Sequence, residues 1–237
     1  MRRAGRVVRE TLELVRGLVK PGLTTLDLEK AAEAKILELG AKPAFKGYHG
    51  YPCVLCTSIN GEVVHGIPSP RRVLKEGDVV SVDCGAFVEG WCGDSAITVP
   101  VGEKIEPTVR RLLEVTEKSL YAGISVVKPG ATLGDVGAAV QAVVEAAGFN
   151  VVRDFVGHGI GTAMHEDPQV PNYGHAGRGM KLKAGMVIAI EPMVNIGGPD
   201  VVVLDDGWTT VTADGSFSAH FEHSVAVTPS GARILTD

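Results

Sequence analysis

Disulfide chemistry is the first thing the composition argues against. Four cysteines, Cys53, Cys56, Cys84 and Cys92, are few for a chain of 237 residues, whereas disulfide frameworks are dense and belong mostly to small oxidised domains. Cys53 and Cys56 form a C-x-x-C, but Cys84 and Cys92 do not supply the second close pair of a zinc ribbon. All four are expected to be reduced and to pack as small apolar side chains. No apolar run approaches the roughly eighteen residues that a membrane span requires. Arg2, Arg3 and Arg6 make the N-terminus basic, but Glu10 and Glu13 interrupt what would be the apolar region of a signal peptide. A cytoplasmic protein with no membrane partner is the expectation. Lys and Arg number 23 against 28 Asp and Glu, a net charge of −5, and no basic stretch gathers that could neutralise a row of phosphates. Nucleic acid is therefore not an expected partner.

What is abundant is internal similarity. Val19-Lys20-Pro21-Gly22, followed by Thr24, Asp27 and Gly40, recurs as Val127-Lys128-Pro129-Gly130, followed by Thr132, Asp135 and Gly148, an offset of 108 positions. Leu74 to Asp83 returns at the same offset as Leu182 to Glu191. One constant offset at two separated motifs predicts two lobes of similar fold about a pseudo-two-fold axis. With no linker-like stretch between them, residues 1–237 read as a single catalytic domain with halves near 1–105 and 106–237. Helices are expected over 3–18, from a cap at Thr24 to a stop at Gly40, over 107–126 with Pro107 in the first turn, and from Thr132 to Gly148. Strands are expected at 54–59, 63–67, 79–88, 91–99, 151–155, 187–194, 201–204, 208–212 and 221–228. The fold class is α+β, with a curved antiparallel sheet covered by helices on one face.

Alternation along those strands sorts their faces. Asp83 shares its face with Ser81, Asp94 with Ala96 and Thr98, Glu191 with Ala189, and Glu222 with Ser224 and Ala226. The opposite faces carry Val80, Val82, Ile97, Val99, Ile188, Ile190, Phe221 and Val225. One face is thus greasy and the other small, open and acidic. Four carboxylates gathered on one partly buried face repel each other and resist desolvation. A bound cation is the natural compensation. The repeat makes Glu191 the counterpart of Asp83, so a site on the pseudo-two-fold axis would collect acids from both lobes. His158, in Gly157-His158-Gly159-Ile160-Gly161, lies in a loop without side-chain bulk, and His165 and His65 are further imidazoles near glycine or proline. Carboxylates with one imidazole suit two divalent ions such as Mn, Fe, Co or Zn, and such a pair can clamp and acidify a water. The residues alone point to metal-assisted hydrolysis.

Seven motifs then carry a resemblance: Tyr48-His49-Gly50-Tyr51-Pro52, Ser58-Ile59-Asn60, His65-Gly66-Ile67-Pro68, Gly157-His158-Gly159-Ile160-Gly161, His165-Glu166-Asp167-Pro168, Ile190-Glu191-Pro192-Met193 and Phe221-Glu222-His223-Ser224. In this order, over nearly the whole length, they resemble the type I methionine aminopeptidases of the short bacterial kind, in metallopeptidase family M24. The resemblance implies the pita-bread fold and removal of the initiator methionine from nascent proteins and peptides, with a small second residue preferred. It implies Asp83, Asp94, His158, Glu191 and Glu222 as ligands of two divalent ions, with Asp94 and Glu222 bridging. By the same resemblance Glu191 is also the general base, Asp83 lies near the substrate amine, His165 donates to the oxyanion and His65 contacts the leaving amide nitrogen. The methionine pocket would be lined by Phe45, Tyr48, Tyr51, Cys56, His65, Met164 and Trp208. A monomer acting on nascent N-termini is implied as the working form, and ribosome docking is left open.

Two other readings stand beside it. An X-Pro aminopeptidase or prolidase shares fold and ligands but normally carries an extra N-terminal domain, for which this chain has no counterpart. A metal-free peptide-binding relative would be expected to have lost ligands, and all five positions are intact. The thirty residues between Glu191 and Glu222 leave no room for the helical insertion of type II enzymes.

Overall fold

The computed structural model describes all residues, 1–237. The first half contributes helices α1 (Arg2–Leu18) and α2 (Thr25–Glu38), then strands β1 (Lys42–Pro43), β2 (Leu55–Ile59), β3 (Glu62–Val64), β4 (Val79–Val88) and β5 (Trp91–Pro100). The second contributes α3 (Pro107–Ser125) and α4 (Leu133–Ala146), then β6 (Asn150–Val151), β7 (Gly157–Gly159), β8 (Glu166–Val170), β9 (Val187–Ile190) and β10 (Met193–Asn195). It ends with β11 (Val201–Val203), β12 (Thr210–Thr212), β13 (Ser218–His220), β14 (His223–Thr228) and β15 (Gly231–Ile234). Every pairing is antiparallel, in four sheets ordered β1-β4-β2 with β5 on β4, β13-β10-β6, β11-β12-β3 and β15-β14-β9-β7-β8. No helix is long and apolar enough to cross a membrane. The four cysteines are free thiols, three of them buried.

The 108-residue offset reappears in the hydrogen bonds. Thr24 and Thr132 each close a capping box, with Asp27 and Asp135 respectively, so the same Thr-x-x-Asp satisfies the first amides of α2 and α4. Gly22 N–H donates to Leu74 C=O at 2.8 Å, and Gly130 N–H to Leu182 C=O at 2.9 Å. Isolated bridges join Thr24 to Val73 and Thr132 to Lys181. One apolar core runs through both halves, containing Leu28, Ile36 and Leu74 from the first and Leu112, Leu120, Leu182, Ile188 and Ile190 from the second.

The 79–99 hairpin forms as its alternation predicts, turning at Glu89-Gly90, both with positive φ (50° and 80°). Elsewhere the structure corrects the sequence reading. The expected strand 187–194 is broken and that at 221–228 starts only at His223, leaving Glu191 and Glu222 in the gaps β9/β10 and β13/β14. Pro192 has no N–H to continue a ladder, and Glu222 N–H turns instead to Ala96 C=O of β5 at 2.9 Å. His158 is on a strand and not in a loop: β7 is held between β8 and β9. Its flanking glycines explain how, since a Cβ on Gly157 would run into the Ala189 carbonyl and one on Gly159 into that of Asp167. The segment expected at 63–67 stops at Val64 because His65 takes a positive φ of 60°. The acidic face is not open either, as Asp94 and Glu222 are buried.

Candidate active site

A seam between the halves builds the site. On β5, Ser224 Oγ accepts from Asp94 N–H at 3.1 Å and donates to Asp94 C=O at 2.8 Å. Four residues on, Thr98 Oγ1 accepts from His220 N–H at 2.9 Å and donates to His220 C=O at 2.8 Å. Ser81 and Thr98 hydroxyls meet at 2.9 Å. The small neighbours of the acids are therefore couplers that fix β5 to the β13/β14 break.

Into that seam project the carboxylates. Asp94, His158 and Glu222 each offer one ligand atom, all within 4.8 Å of one another. Glu191 Oε1 lies 3.5 Å from His158 Nε2. Asp83 pairs opposite Ala96, one diagonal step from Asp94, which faces Gly85. Asp83 Oδ1, Asp94 Oδ1 and Glu222 Oε1 are buried without a hydrogen-bond partner, and no Lys or Arg forms an ion pair with any of the four acids. Desolvation, with mutual repulsion, pushes Asp94, Glu191 and Glu222 well above the usual carboxylate range, and desolvation lifts Asp83 to about 7. His158 Nδ1 meets the carbonyl of Gly159 at 2.9 Å, which places the proton on Nδ1 and leaves Nε2 with its lone pair toward the acids. The orphaned oxygens of Asp94 and Glu222 and the neutral imidazole of His158, gathered within 4.8 Å, fit a divalent cation.

Around the acids opens a cavity of about 600 Å³. Phe45, Tyr48, Tyr51, Cys56, His65, Met164, His165 and Trp208 line it together with Asp83, Asp94, His158, Glu191 and Glu222, so every candidate site residue faces one space. Phe45, Tyr51, Cys56 and Met164 form a buried cluster of their own, with Tyr48 and Trp208 packed against it. Tyr51 OH reaches the Leu55 and Gly66 carbonyls at 2.9 and 3.1 Å, tying the aromatic segment to the His65 turn. His65 packs edge-on to Phe155 at 5.5 Å, and His165 to His158 at 4.2 Å. Tyr48 OH lies 2.9 Å from His165 Nδ1. Sequence reasoning passed over Phe155, Met193 and His220, all on the cavity wall. His220 had a signal: it stands two residues before Glu222, where alternation places a neighbour on the same face.

The metal-free protein should lose stability as pH rises above neutrality. A carboxyl whose pKa is higher folded than unfolded binds more protons when folded, so its stabilisation is present at low pH and lost as pH rises through the folded value. For Asp83 that loss runs from 3.8 to about 7, and the other three acids extend it upward. Burial lowers His65, His158 and His223 to about 4 and His220 to about 3 from 6.5. Those histidines act on the acid side with the opposite sign, their contribution falling below 6.5 while that of the acids grows, so the two sets offset each other there. Scanning calorimetry after chelation should show Tm falling between pH 7 and 9, and added Mn²⁺ should flatten that fall. A Tm rising from pH 7 to 9 without metal would contradict the assignment.

The sequence pattern of metallopeptidase family M24 matches residues 1–229. The chain belongs to that family, a class of metal-using peptidases. It is 52% identical over 236 residues to the methionine aminopeptidase of Clostridium acetobutylicum, spanning 100% of this chain and 94% of that one. The crystal structure of methionine aminopeptidase from Thermotoga maritima superposes with a TM-score of 0.98 at 51% identity, covering 100% of this chain and 95% of that one. Within the family the chain thus falls with the methionine aminopeptidases and has their pita-bread fold. The prolidase of Pyrococcus horikoshii shares the fold, with a TM-score of 0.80 at 21% identity, and this chain covers 60% of it.

Proposed function

We propose that this protein removes the N-terminal methionine from nascent proteins and peptides, preferring a small second residue, through two divalent ions held by Asp83, Asp94, His158, Glu191 and Glu222. Full-length identity of about half with methionine aminopeptidases supports the activity. The observation that carries the site assignment is the set of buried, uncompensated carboxylates opening into a cavity walled by Phe45, Tyr51, Cys56 and Met164. Co, Mn, Fe and Zn all suit such ligands, and Asp94 and Glu222 would be among the residues that hold them. We read residues 1–237 as one catalytic domain with halves near 1–105 and 106–237, working as a cytoplasmic monomer on chains emerging from, or docked at, the ribosome.

When bound, the ions supply Lewis acidity to a water and to the scissile carbonyl. The protein's own groups do the rest. An apolar wall takes the unbranched thioether, whose flexibility suits an irregular pocket, while Asp83 lies beside the substrate's terminal amine. Glu191 accepts the proton of the attacking water and carries it to the leaving nitrogen. With Tyr48 OH as donor to His165 Nδ1, 2.9 Å away, the His165 proton would be on Nε2, where it can meet the oxyanion. His65, held by its positive-φ turn and by Phe155, contacts the amide nitrogen of the residue that leaves.

Free methionine released from Met-Ala-Ser by chelated protein, with and without Mn²⁺ or Co²⁺, tests this reading by mass spectrometry, with Ala-Pro-Ser as control. Metal-dependent release of methionine alone is expected. Cleavage of the proline peptide instead would favour an X-Pro peptidase, and no cleavage with metal bound would favour a peptide-binding role. His165→Ala should lower kcat by roughly 10²-fold, as removal of an oxyanion donor does, with KM little changed. A rise in KM alone would show that His165 binds substrate and leaves the oxyanion to another group.

A further inference from the structure

His220 is buried, 2% exposed, and its Nε2 has no hydrogen-bond partner. A polar atom in that position is costly unless something answers it. The ring cannot move away easily, because Thr98 holds the backbone of His220 at both N–H and C=O and β13 pairs His220 with Met193. The nearest carboxylate oxygen recorded to Nε2 is Glu191 Oε2, at 3.8 Å. That is a small side-chain adjustment from a hydrogen bond.

Glu191 needs such a partner. Its carbonyl is fixed by Asn172 Nδ2 at 3.0 Å, but its carboxylate accepts no hydrogen bond and has only two imidazole nitrogens within 4 Å, His158 Nε2 and His220 Nε2. His158 already gives its proton to the Gly159 carbonyl through Nδ1, so its Nε2 has none to offer. Only His220 is left as a donor. Moreover, Glu191 sits in the break between β9 and β10, where no ladder bond limits its rotation.

We propose that His220 is a positioning residue for Glu191, its Nε2–H holding Oε2 and fixing the carboxylate plane in which the other oxygen meets the reacting water. This rests on the hydrolytic role given to Glu191 above. Leucine in place of His220 fills space without a donor. Glutamine places an amide N–H near the position of imidazole Nε2, and asparagine carries the same amide on a shorter stem that falls short of it.

The experiment compares wild type, His220→Leu, His220→Gln and His220→Asn, with kcat and KM measured on Met-Ala-Ser at saturating Mn²⁺, Mn²⁺ affinity by calorimetry, and Tm. Leu and Asn should each lower kcat by roughly 10–100-fold, the scale seen when a supporting hydrogen bond to a metal-site residue is lost. KM and Mn²⁺ affinity should stay close to wild type, and Gln should recover most of the lost kcat. The Gln and Asn pair keeps the comparison informative if Leu does not fold. Equal rates for Gln and Asn, an unchanged kcat in Leu, or a drop in Mn²⁺ affinity that tracks the drop in kcat would each overturn the proposal, the last by making His220 a ligand. Wild type that releases no methionine would overturn the hydrolytic reading itself, whereas normal wild-type turnover with indifferent variants overturns only the role of His220.

Discussion

Glu191→Gln should reduce kcat on Met-Ala-Ser by about 10³-fold at saturating Mn²⁺, within the range that general acid–base catalysis supplies, while the fold is retained. Glutamine matches glutamate in shape and keeps a carbonyl oxygen, but it cannot accept the proton of the attacking water. The local structure gives the substitution little else to disturb. Glu191 lies between β9 and β10, anchored through its backbone carbonyl to Asn172, and its carboxylate makes no hydrogen bond that the amide would forfeit. Circular dichroism should match that of wild type, and because Glu191 is also one of the proposed ligands, atomic emission at saturating Mn²⁺ separates loss of the base from loss of metal. Residual activity above a tenth of wild type at full metal loading would remove Glu191 from the role of base.

Glu222→Gln should abolish metal-dependent turnover and yet make the metal-free protein more stable. Glu222 is 2% exposed, with Oε1 unpartnered and Asp94 and His158 ligand atoms within 4.8 Å. Burial, then the charges of Glu191 and Asp83, push its pKa well up. Without a cation, ionised Glu222 is therefore a liability that an amide removes. With a cation, the same charge is what binds. At pH 8 the chelated variant should melt several degrees above chelated wild type, at roughly 2–4 °C per kcal/mol for a chain of this size. Added Mn²⁺ should raise wild-type Tm strongly and the variant's much less, by the mass-action stabilisation that a ligand confers on the folded state. A metal-free variant less stable than wild type would mean that Glu222 is stabilised by neighbours and not by a cation.

Local signals made part of this fold legible. Thr24 and Thr132 announced two helix starts because a capping box is complete within four residues. Alternation over 79–99 set the β4–β5 hairpin, and with it the spacing of Asp83 and Asp94, because both strands and the turn are contiguous in sequence. The repeat pointed to acids from both halves. What escaped depends on partners far along the chain. Strands 187–194 and 221–228 looked continuous, and what turns Glu222 aside is Ala96, with Ser95 and Thr98 beside it, more than 120 positions away. His158 read as a loop residue because its glycines suggest flexibility in isolation, whereas here they admit the carbonyls of Ala189 and Asp167 on either side. His220 was missed for a related reason. Its spacing from Glu222 hints at a shared face, but its place beside Glu191 comes from the Thr98 clasp, 122 positions away.

The seam that joins β5 to the β13/β14 break also sets a schedule during synthesis. Asp94 must meet Ser224, and Ala96 must meet Glu222, before the acids converge. At ribosomal rates of 5–20 residues per second, roughly 7–28 s pass between the appearance of Asp83 and that of Glu222. For that interval the growing chain holds Asp83 and Asp94 with no counterpart from the second half, and Thr236, which hydrogen-bonds His223 and Ser224, arrives later still. A ribosome-stalled or truncated product ending before Ser218 therefore has no partially working centre. Assembly of the seam waits for residues 218–236.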